Sequence, residues 1–196
     1  MQLTLTKKII LGVSAVLLLG AVVQSLRNVG RNEGYAPDQP IPFSHKKHAG
    51  LYNIPCMYCH SAVEKSKHAT IPSLNVCMNC HSVVAPDSPH IQKLKKLFSE
   101  NKMPIEWIRI HDLPDHVNFN HKRHIAKGIS CETCHGDVKN MVKIRQEKPL
   151  TMGWCLDCHR GNTAPASLVK TMKDIKPKDH PPMTGVAQTS CYTCHQ

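Results

Sequence analysis

All ten cysteines of this 196-residue chain, and five of its histidines, fall into five copies of the pattern Cys-x-x-Cys-His. This is the attachment pattern of c-type haem: the two thiols bond to the haem vinyl groups, and the adjacent imidazole is held where it can bind the iron from one face. The predicted attachment residues are Cys56, Cys59, Cys77, Cys80, Cys131, Cys134, Cys155, Cys158, Cys191 and Cys194. The predicted proximal iron ligands are His60, His81, His135, His159 and His195.

Zinc knuckles, a disulfide framework and thioredoxin-like redox pairs also use paired cysteines, but none requires histidine after every pair. Histidine makes up 14 of the 196 residues, so five such histidines by chance are expected on the order of once in half a million. Zinc ribbons use four thiolates per metal and would leave an odd pair. We therefore expect five c-type haems.

The composition leaves little material for an ordinary core, because the chain has only 3 Phe, 2 Trp and 4 Tyr. With an N-terminal segment set aside, roughly 160 residues remain, or about 32 per haem. The porphyrins must then form the core, and the chain without haem should be largely unfolded. Gly, Pro and Lys are spread throughout, so we expect a mainly α fold with irregular loops and a haem-packed core.

The formal net charge of +11 would by itself suggest nucleic acid or an acidic membrane surface as a partner. Five haems bring ten propionates, however, which would offset nearly all of that charge. Many lysines and arginines are therefore expected to pair with propionates or to be simply solvated, and no nucleic-acid partner is expected.

Residues 9–23 carry no charge and only one polar side chain, Ser14, and the uncharged stretch continues to Leu26. Its length is near the short end for a spanning helix, and the small residues of a signal-peptide cleavage site are poorly placed. We predict that residues 1–35 are a membrane anchor with one transmembrane helix; an interfacial helix and a segment packed inside a complex are the alternatives. Because c-type haem is attached outside the cytoplasmic membrane, we place the haem-binding part on the periplasmic or outer face of a bacterial cytoplasmic membrane.

A hexapeptide repeats 76 residues apart: Phe-Ser-His-Lys-Lys-His at 43–48 and Phe-Asn-His-Lys-Arg-His at 119–124. Each copy leads within seven or eight residues into an attachment motif. We predict two copies of one haem-binding module, a dihaem module at 36–105 and a trihaem module at 106–196.

Between the modules, Ser88 and Pro89 are the predicted N-cap and first residue of an amphipathic helix whose apolar side extends to Phe98 and which closes before Pro104. Its amphipathic pattern alone favours a spacer over a partner-binding helix.

The pattern Phe-x-His-x-x-His ahead of Cys-x-x-Cys-His resembles the class III multihaem cytochromes, small proteins with closely packed bis-histidine haems. Residues 107–121, from Trp-Ile-Arg-Ile-His to Phe-Asn-His, and residues 149–160, with Met-Gly-Trp-Cys-Leu-Asp-Cys-His, resemble the membrane-anchored branch of that group. Five motifs, the N-terminal anchor and a length near 200 are similar to the pentahaem cytochrome subunits of alternative complex III.

This resemblance implies distal iron ligands. The first histidine of each repeat would bind the haem of the next motif, and the second would reach a later haem. Each could instead hydrogen-bond a propionate or lie on the surface, but the repeat favours ligation. The implied pairs are His45 with His60, His48 with His81, His121 with His135, and His124 with His159.

The haem of His195 has no partner from these blocks. In trihaem relatives a histidine just ahead of the second motif serves the third haem, and here Met152 holds that place. A His/Met pair would raise that haem's potential, but Met152 could equally fill a packing gap. His68, His111 and His180 compete for the same position.

We expect an electron-transfer subunit, not an enzyme: a membrane-anchored pentahaem cytochrome of a quinol-oxidising complex, which relays electrons from an iron–sulfur partner to a monohaem cytochrome or terminal oxidase. The resemblance implies an iron–sulfur subunit akin to molybdopterin oxidoreductases, multi-helix quinol-binding membrane subunits and a monohaem cytochrome c. No acid–base or nucleophilic constellation is visible, as electron transfer by ligand-saturated haem predicts.

Two alternatives belong to other classes. Self-sufficient quinol dehydrogenases of nitrate and nitrite respiration carry a Met two residues after the His of their first motif, whereas His60 is followed by Ser61 and Ala62. Multihaem nitrite or hydroxylamine reductases need an open iron position and are much longer.

Overall fold

The computed structural model describes residues 4–100, 104–166 and 187–195, and the secondary structure of these residues is helical. None of them forms a β-strand, so the predicted mainly α fold with irregular loops is confirmed. A π-helical turn spans Lys46–Leu51, and a 3₁₀ turn spans Val138–Asn140. The α-helices are α1 Leu5–Asn28, α2 Cys56–Cys59, α3 Leu74–His81, α4 Pro89–Ser99, α5 His121–Ile125, α6 Cys131–His135, α7 Met152–His159 and α8 Cys191–Cys194.

The chain divides into two compact units between Arg31 and Asn32. The first unit contains α1, whose 24 residues include an 18-residue window with a mean hydropathy of 2.4. By length and composition α1 can cross a membrane. None of its side chains is buried within the structure.

Helix α4 confirms the helix predicted between the two repeats. Ser88 is its N-cap residue and Pro89 occupies the first turn, where the missing N–H costs nothing. The Ser88 hydroxyl makes no capping hydrogen bond. Leu94 is buried on the apolar face, and the helix ends at Ser99, ahead of Pro104.

The second unit has a sparse apolar core. Its buried apolar side chains are scattered along the chain and do not form a stripe on any one helix. A unit of this length without a large cofactor would be expected to bury far more apolar surface. The buried apolar residues of the described chain are Ile41, Val63, Leu94, Ile110, Ile129, Met141 and Leu150.

Gln146 is the most deeply buried polar residue described, with a relative exposure of 1%. Its main chain pairs with that of residues 34 and 35, at 2.7 Å and 3.2 Å. Its side chain accepts a hydrogen bond from the Asp112 amide at 2.9 Å and donates one to the Lys148 carbonyl at 3.0 Å. The main chain and side chain of this one residue together therefore join its own segment to residues 34–35 and to Asp112.

The π-helical turn of the first repeat packs against the 3₁₀ turn that follows α6. The Lys46 amide donates to the Met141 carbonyl at 2.9 Å. Gly50 lies so close to the Lys139 carbonyl oxygen that a Cβ at this position would collide with it. This contact between backbones explains why glycine follows the first repeat.

Candidate functional site

Each attachment motif lies on a short helical segment. Helical spacing places the two cysteines of each pair on the same side, so both thiols can reach one group. The following histidine either ends the helix, as in α3, α6 and α7, or comes directly after it, as in α2 and α8. All ten cysteines are free thiols, so none is used in a disulfide. The local structure of all five motifs therefore suits covalent attachment of c-type haem.

Four of the five proximal imidazoles are fixed in the same way, because Nδ1–H donates to a main-chain carbonyl. Such a bond sets the tautomer and leaves the Nε2 lone pair free for a metal. These carbonyls are the features that sequence reasoning missed, and since every residue has one, no side chain could have signalled them. The pairs are His60 with Thr70 at 2.6 Å, His81 with Val84 at 3.1 Å, His159 with Gln188 at 2.7 Å, and His195 with His116 at 3.0 Å.

The fifth proximal imidazole, His135, has a side-chain partner instead. Its Nδ1 lies 3.1 Å from Nε2 of His111, and the two rings meet edge to face with their centres 4.4 Å apart. Burial and, after it, the neighbouring His111 lower the pKa of His135 to about 4. Burial likewise lowers the pKa of His111. Burial therefore favours the neutral form of both imidazoles.

In the first repeat, the Phe43 ring orients both histidines. It stacks on His48 at a centre-to-centre distance of 4.3 Å and meets His45 edge-on at 4.9 Å. The His48 Nδ1–H donates to the Ser44 carbonyl at 2.9 Å. The Nδ1 of His45 is buried without a hydrogen-bond partner among the described residues.

The second repeat reproduces these contacts. Phe119 stacks on His124 at 4.5 Å and meets His121 edge-on at 4.8 Å. The His124 Nδ1–H donates to the Asn120 carbonyl at 2.9 Å. The His121 Nδ1–H donates to the Lys67 carbonyl at 2.8 Å, a partner from the first half of the chain.

Three of the four imidazole pairs implied by the resemblance lie at the separation that one shared metal ion requires. With metal–nitrogen bonds of about 2 Å on each side, two imidazole rings that flank one ion have their centres about 6 Å apart. The residues present therefore fit the axial positions of haem iron. The measured separations are 6.1 Å for His48 and His81, 6.3 Å for His121 and His135, and 6.2 Å for His124 and His159.

The fourth implied pair, His45 with His60, stays a prediction. Burial is the main reason why the pKa of His45 falls to about 4, and the neighbouring imidazoles of His60, His48 and His111 lower it further.

The sixth ligand of the haem at His195 stays a prediction. Met152 begins α7 and is 61% exposed, while His68 is exposed and its amide bonds the Ser66 hydroxyl. His111 bonds His135 rather than His195. His180, the remaining competitor, lies outside the described residues.

Contacts between motifs show which haem sites are neighbours. Burial, followed by Cys56 of the same motif and Cys80 of the next, raises the pKa of the Cys59 thiol. The side-chain amide of Asn79 also donates a hydrogen bond to the Tyr58 hydroxyl at 3.0 Å. The first and second motifs are therefore adjacent.

The first motif also lies beside the third, across the two repeats. Burial and, after it, Cys56 raise the pKa of the Cys131 thiol. The packing of the π-helical turn Lys46–Leu51 on the 3₁₀ turn Val138–Asn140 brings the same two regions together.

The last three motifs continue this sequence of neighbours. Burial and then Cys158 raise the pKa of Cys134 to about 11. Burial and then Cys194 raise the pKa of Cys155. In geometry, α5 carries the ring partners of both His135 and His159, and His159 bonds the Gln188 carbonyl just ahead of the fifth motif. The series of neighbouring motifs therefore runs through those of His81, His60, His135, His159 and His195.

The second part of the chain also matches a family of known proteins. Residues 117–196 match the family described as cytochrome c7 and related cytochrome c. This part of the chain is similar to multihaem cytochromes c. The match contains the second Phe-x-His-x-x-His repeat and three attachment motifs, so the resemblance to multihaem cytochromes is confirmed there, and electron transfer through c-type haem follows from it.

A relative extends the likeness toward the N-terminus. Over 179 residues the chain is 25% identical to the protein named menaquinone reductase, multiheme cytochrome c subunit, of Nitratidesulfovibrio vulgaris (strain Hildenborough). The aligned region is 81% of this chain and 77% of the relative.

Proposed function

We propose that this chain is the membrane-anchored pentahaem electron-transfer subunit of a quinol-oxidising respiratory complex. The observation that carries the proposal is the set of three imidazole pairs with ring centres 6.1 to 6.3 Å apart. Two axial imidazoles saturate an iron, so no position is left for a substrate, and such a centre suits electron transfer rather than bond chemistry.

When bound, the haems supply one-electron redox chemistry that no amino-acid side chain offers. The chain's own residues would hold them. The five Cys-x-x-Cys pairs would be the covalent anchors, and the histidine after each pair would bind the iron. Hydrogen bonds to Nδ1 and the stacking of Phe43 and Phe119 fix the rings, which keeps reorganisation on electron transfer small.

The order of the motifs supports a relay. Each motif is adjacent to the next along the series that begins at His81 and ends at His195. A series with two distinct ends suits a subunit that accepts electrons from one partner and delivers them to another.

We assign α1 as a single-pass anchor in the bacterial cytoplasmic membrane, with the haem-binding part on the periplasmic or outer face. The proposed partners are an iron–sulfur subunit akin to molybdopterin oxidoreductases, multi-helix quinol-binding membrane subunits and a monohaem cytochrome c. A multihaem subunit of a quinone-linked enzyme is also what the relative's name describes.

A second candidate has the same parts and the opposite direction of electron flow. The relative is named as a subunit of a menaquinone reductase. In that case electrons would enter from a periplasmic donor and leave toward the quinone.

The test is purification of the tagged chain from membranes in mild detergent. We expect five covalent haems per chain, a fully low-spin reduced spectrum that carbon monoxide leaves unchanged, and co-purification of iron–sulfur and multi-helix subunits. A high-spin haem that binds nitrite or carbon monoxide would contradict the proposal.

Assays of the purified complex decide the direction of electron flow between the quinone and the other partners. Menaquinol with an oxidised monohaem cytochrome should be turned over faster than menaquinone with a reduced donor; the reverse ranking selects the second candidate. If the isolated chain in lipid vesicles oxidised menaquinol unaided, it would be a self-sufficient dehydrogenase instead.

A further inference from the structure

We propose that His111 is a positioning residue for the haem of the third motif: its Nε2 accepts the Nδ1–H of the proximal ligand His135, which holds that ring and lowers the potential of that haem. This inference rests on the proposed haem function and adds a role for a residue outside the attachment motifs and the two repeats.

The first step is the difference between His135 and the other four proximal histidines. Those four donate Nδ1–H to main-chain carbonyls. His135 alone pairs with a side chain, with 3.1 Å between its Nδ1 and the Nε2 of His111. A neutral imidazole has one donor and one acceptor nitrogen, so His111 can accept this hydrogen bond.

The second step concerns the other side of the His135 ring. His121 lies parallel to it within 4°, with the ring centres 6.3 Å apart, the separation of two ligands of one ion. The centre of His111 is only 4.4 Å from that of His135, at an interplanar angle of 83°. This distance leaves no room for an iron between the two rings, so His111 supports the proximal ligand and His121 takes the distal position.

The third step is that the backbone around His111 is fixed. The Arg109 Nε–H donates to the His111 carbonyl at 3.0 Å. The next amide, that of Asp112, donates to the buried Gln146 side chain at 2.9 Å. Arg109 and Asp112 also pair at 3.3 Å. Both hydrogen bonds hold the peptide group that joins His111 to Asp112, so the backbone next to the His111 ring is fixed.

The chemical consequence follows from the strength of the acceptor. An imidazole nitrogen is more basic than an amide carbonyl and draws the Nδ1–H of His135 more strongly. Greater electron density on the ligating ring stabilises the oxidised iron and lowers the potential. The third motif is also the middle one of the series of neighbouring motifs. The lowered potential would therefore belong to the haem that lies where the two repeats meet.

The experiment uses the full chain with its haems and three variants. His111→Phe removes the acceptor and keeps an aromatic ring, and His111→Gln keeps a weaker acceptor. The matched control is His90→Gln, because His90 is exposed on α4 and belongs to none of the attachment motifs or repeats. The readouts are haems per chain, spin state, and a potentiometric titration followed by electron paramagnetic resonance.

We expect all variants to keep five low-spin haems. In His111→Phe one midpoint potential rises and one set of low-spin signals shifts. In His111→Gln the same midpoint potential rises less, and in His90→Gln no midpoint potential changes. If His111→Phe does not accumulate, the smaller rise of the midpoint potential in His111→Gln tests the inference instead.

Two results would overturn the inference: a titration of either His111 variant that matches the wild type, or one new high-spin haem that binds carbon monoxide, since the latter would make His111 an axial ligand. A wild-type chain that lacks low-spin haems would refute the proposed function itself, before any variant is compared.

Discussion

The two Phe-x-His-x-x-His repeats have nearly the same ring geometry and different surroundings. In both, phenylalanine stacks on the second histidine, at 4.3 Å and 4.5 Å, and meets the first edge-on. The first histidine differs: His121 bonds the Lys67 carbonyl, whereas the Nδ1 of His45 is buried without a described partner. Local sequence therefore sets the shape of the repeat, and distant segments set its hydrogen bonds.

The helical turns that carry the repeats differ for the same reason. The first repeat continues into a π-helical turn, and the second forms the α-helix His121–Ile125. Gly50 contacts the Lys139 carbonyl, but Ala126, its counterpart 76 residues later, is exposed. Only the first repeat has another backbone packed against it at this point.

The largest expected effect comes from removing the second histidine of either repeat. His48→Ala and His124→Ala should each convert one haem from low-spin to high-spin and make it bind carbon monoxide, because each takes away one axial ligand. Difference spectra of the reduced protein with carbon monoxide measure this. The neighbouring exposed residues give the controls, Lys47→Ala and Arg123→Ala, which should bind none. If only one histidine variant responded, the two repeats would not be equivalent.

The next effect concerns the buried side chain of Gln146, which joins the segment of Asp112 to that of Lys148. Gln146→Leu leaves the Asp112 amide and the Lys148 carbonyl without their partner, at a cost of about 1–3 kcal/mol for each group. Denaturant unfolding of the haem-loaded protein measures the loss. Gln92→Ala, an exposed position on α4, should change the stability by less than about 0.5 kcal/mol. Equal stability of the two variants would contradict the role of Gln146.

A smaller effect on stability distinguishes the helical turn of the first repeat from that of the second. Gly50→Ala should destabilise the protein by about 1–3 kcal/mol, because its Cβ would press on a backbone carbonyl that cannot move aside easily. The reciprocal change, Ala126→Gly, should cost no more than about 1 kcal/mol. Thermal unfolding of both variants tests the comparison, and an equal loss would show that the close approach at Gly50 is unimportant.

The smallest effect is that of an exposed ion pair between Lys143 and Asp38, 2.8 Å apart. The hydrogen bond and then the charge of Lys143 lower the pKa of Asp38 below its usual 3.8. The pair's contribution is therefore complete above the unfolded pKa of Asp38 and is lost as the pH falls through the lower folded value. Asp38→Asn should be only slightly less stable than the wild type at neutral pH, and this difference should vanish at low pH. A clear loss at pH 7 would show that the pair matters more than its exposure suggests.

The attachment residues, the proximal ligands and the repeat were readable in the sequence because they are short-range patterns. In the segment from Cys131 to His135, for example, one helical turn suffices to bring both thiols and the imidazole to one side. The scarcity of aromatic residues likewise predicted the sparse apolar core. The pairing of His124 with His159 followed from the resemblance, and the ring separation of 6.2 Å agrees with it.

The tertiary structure alone decided what each imidazole Nδ1 bonds. A carbonyl such as that of Thr70 or Gln188 has no side-chain signature, and only the path of the chain brings it to its histidine. The same is true of His111, which the sequence could place only among several competing ligands, and which folding brings to His135. Covalent attachment depends on neighbours in sequence, whereas the tuning of each ligand depends on neighbours in space.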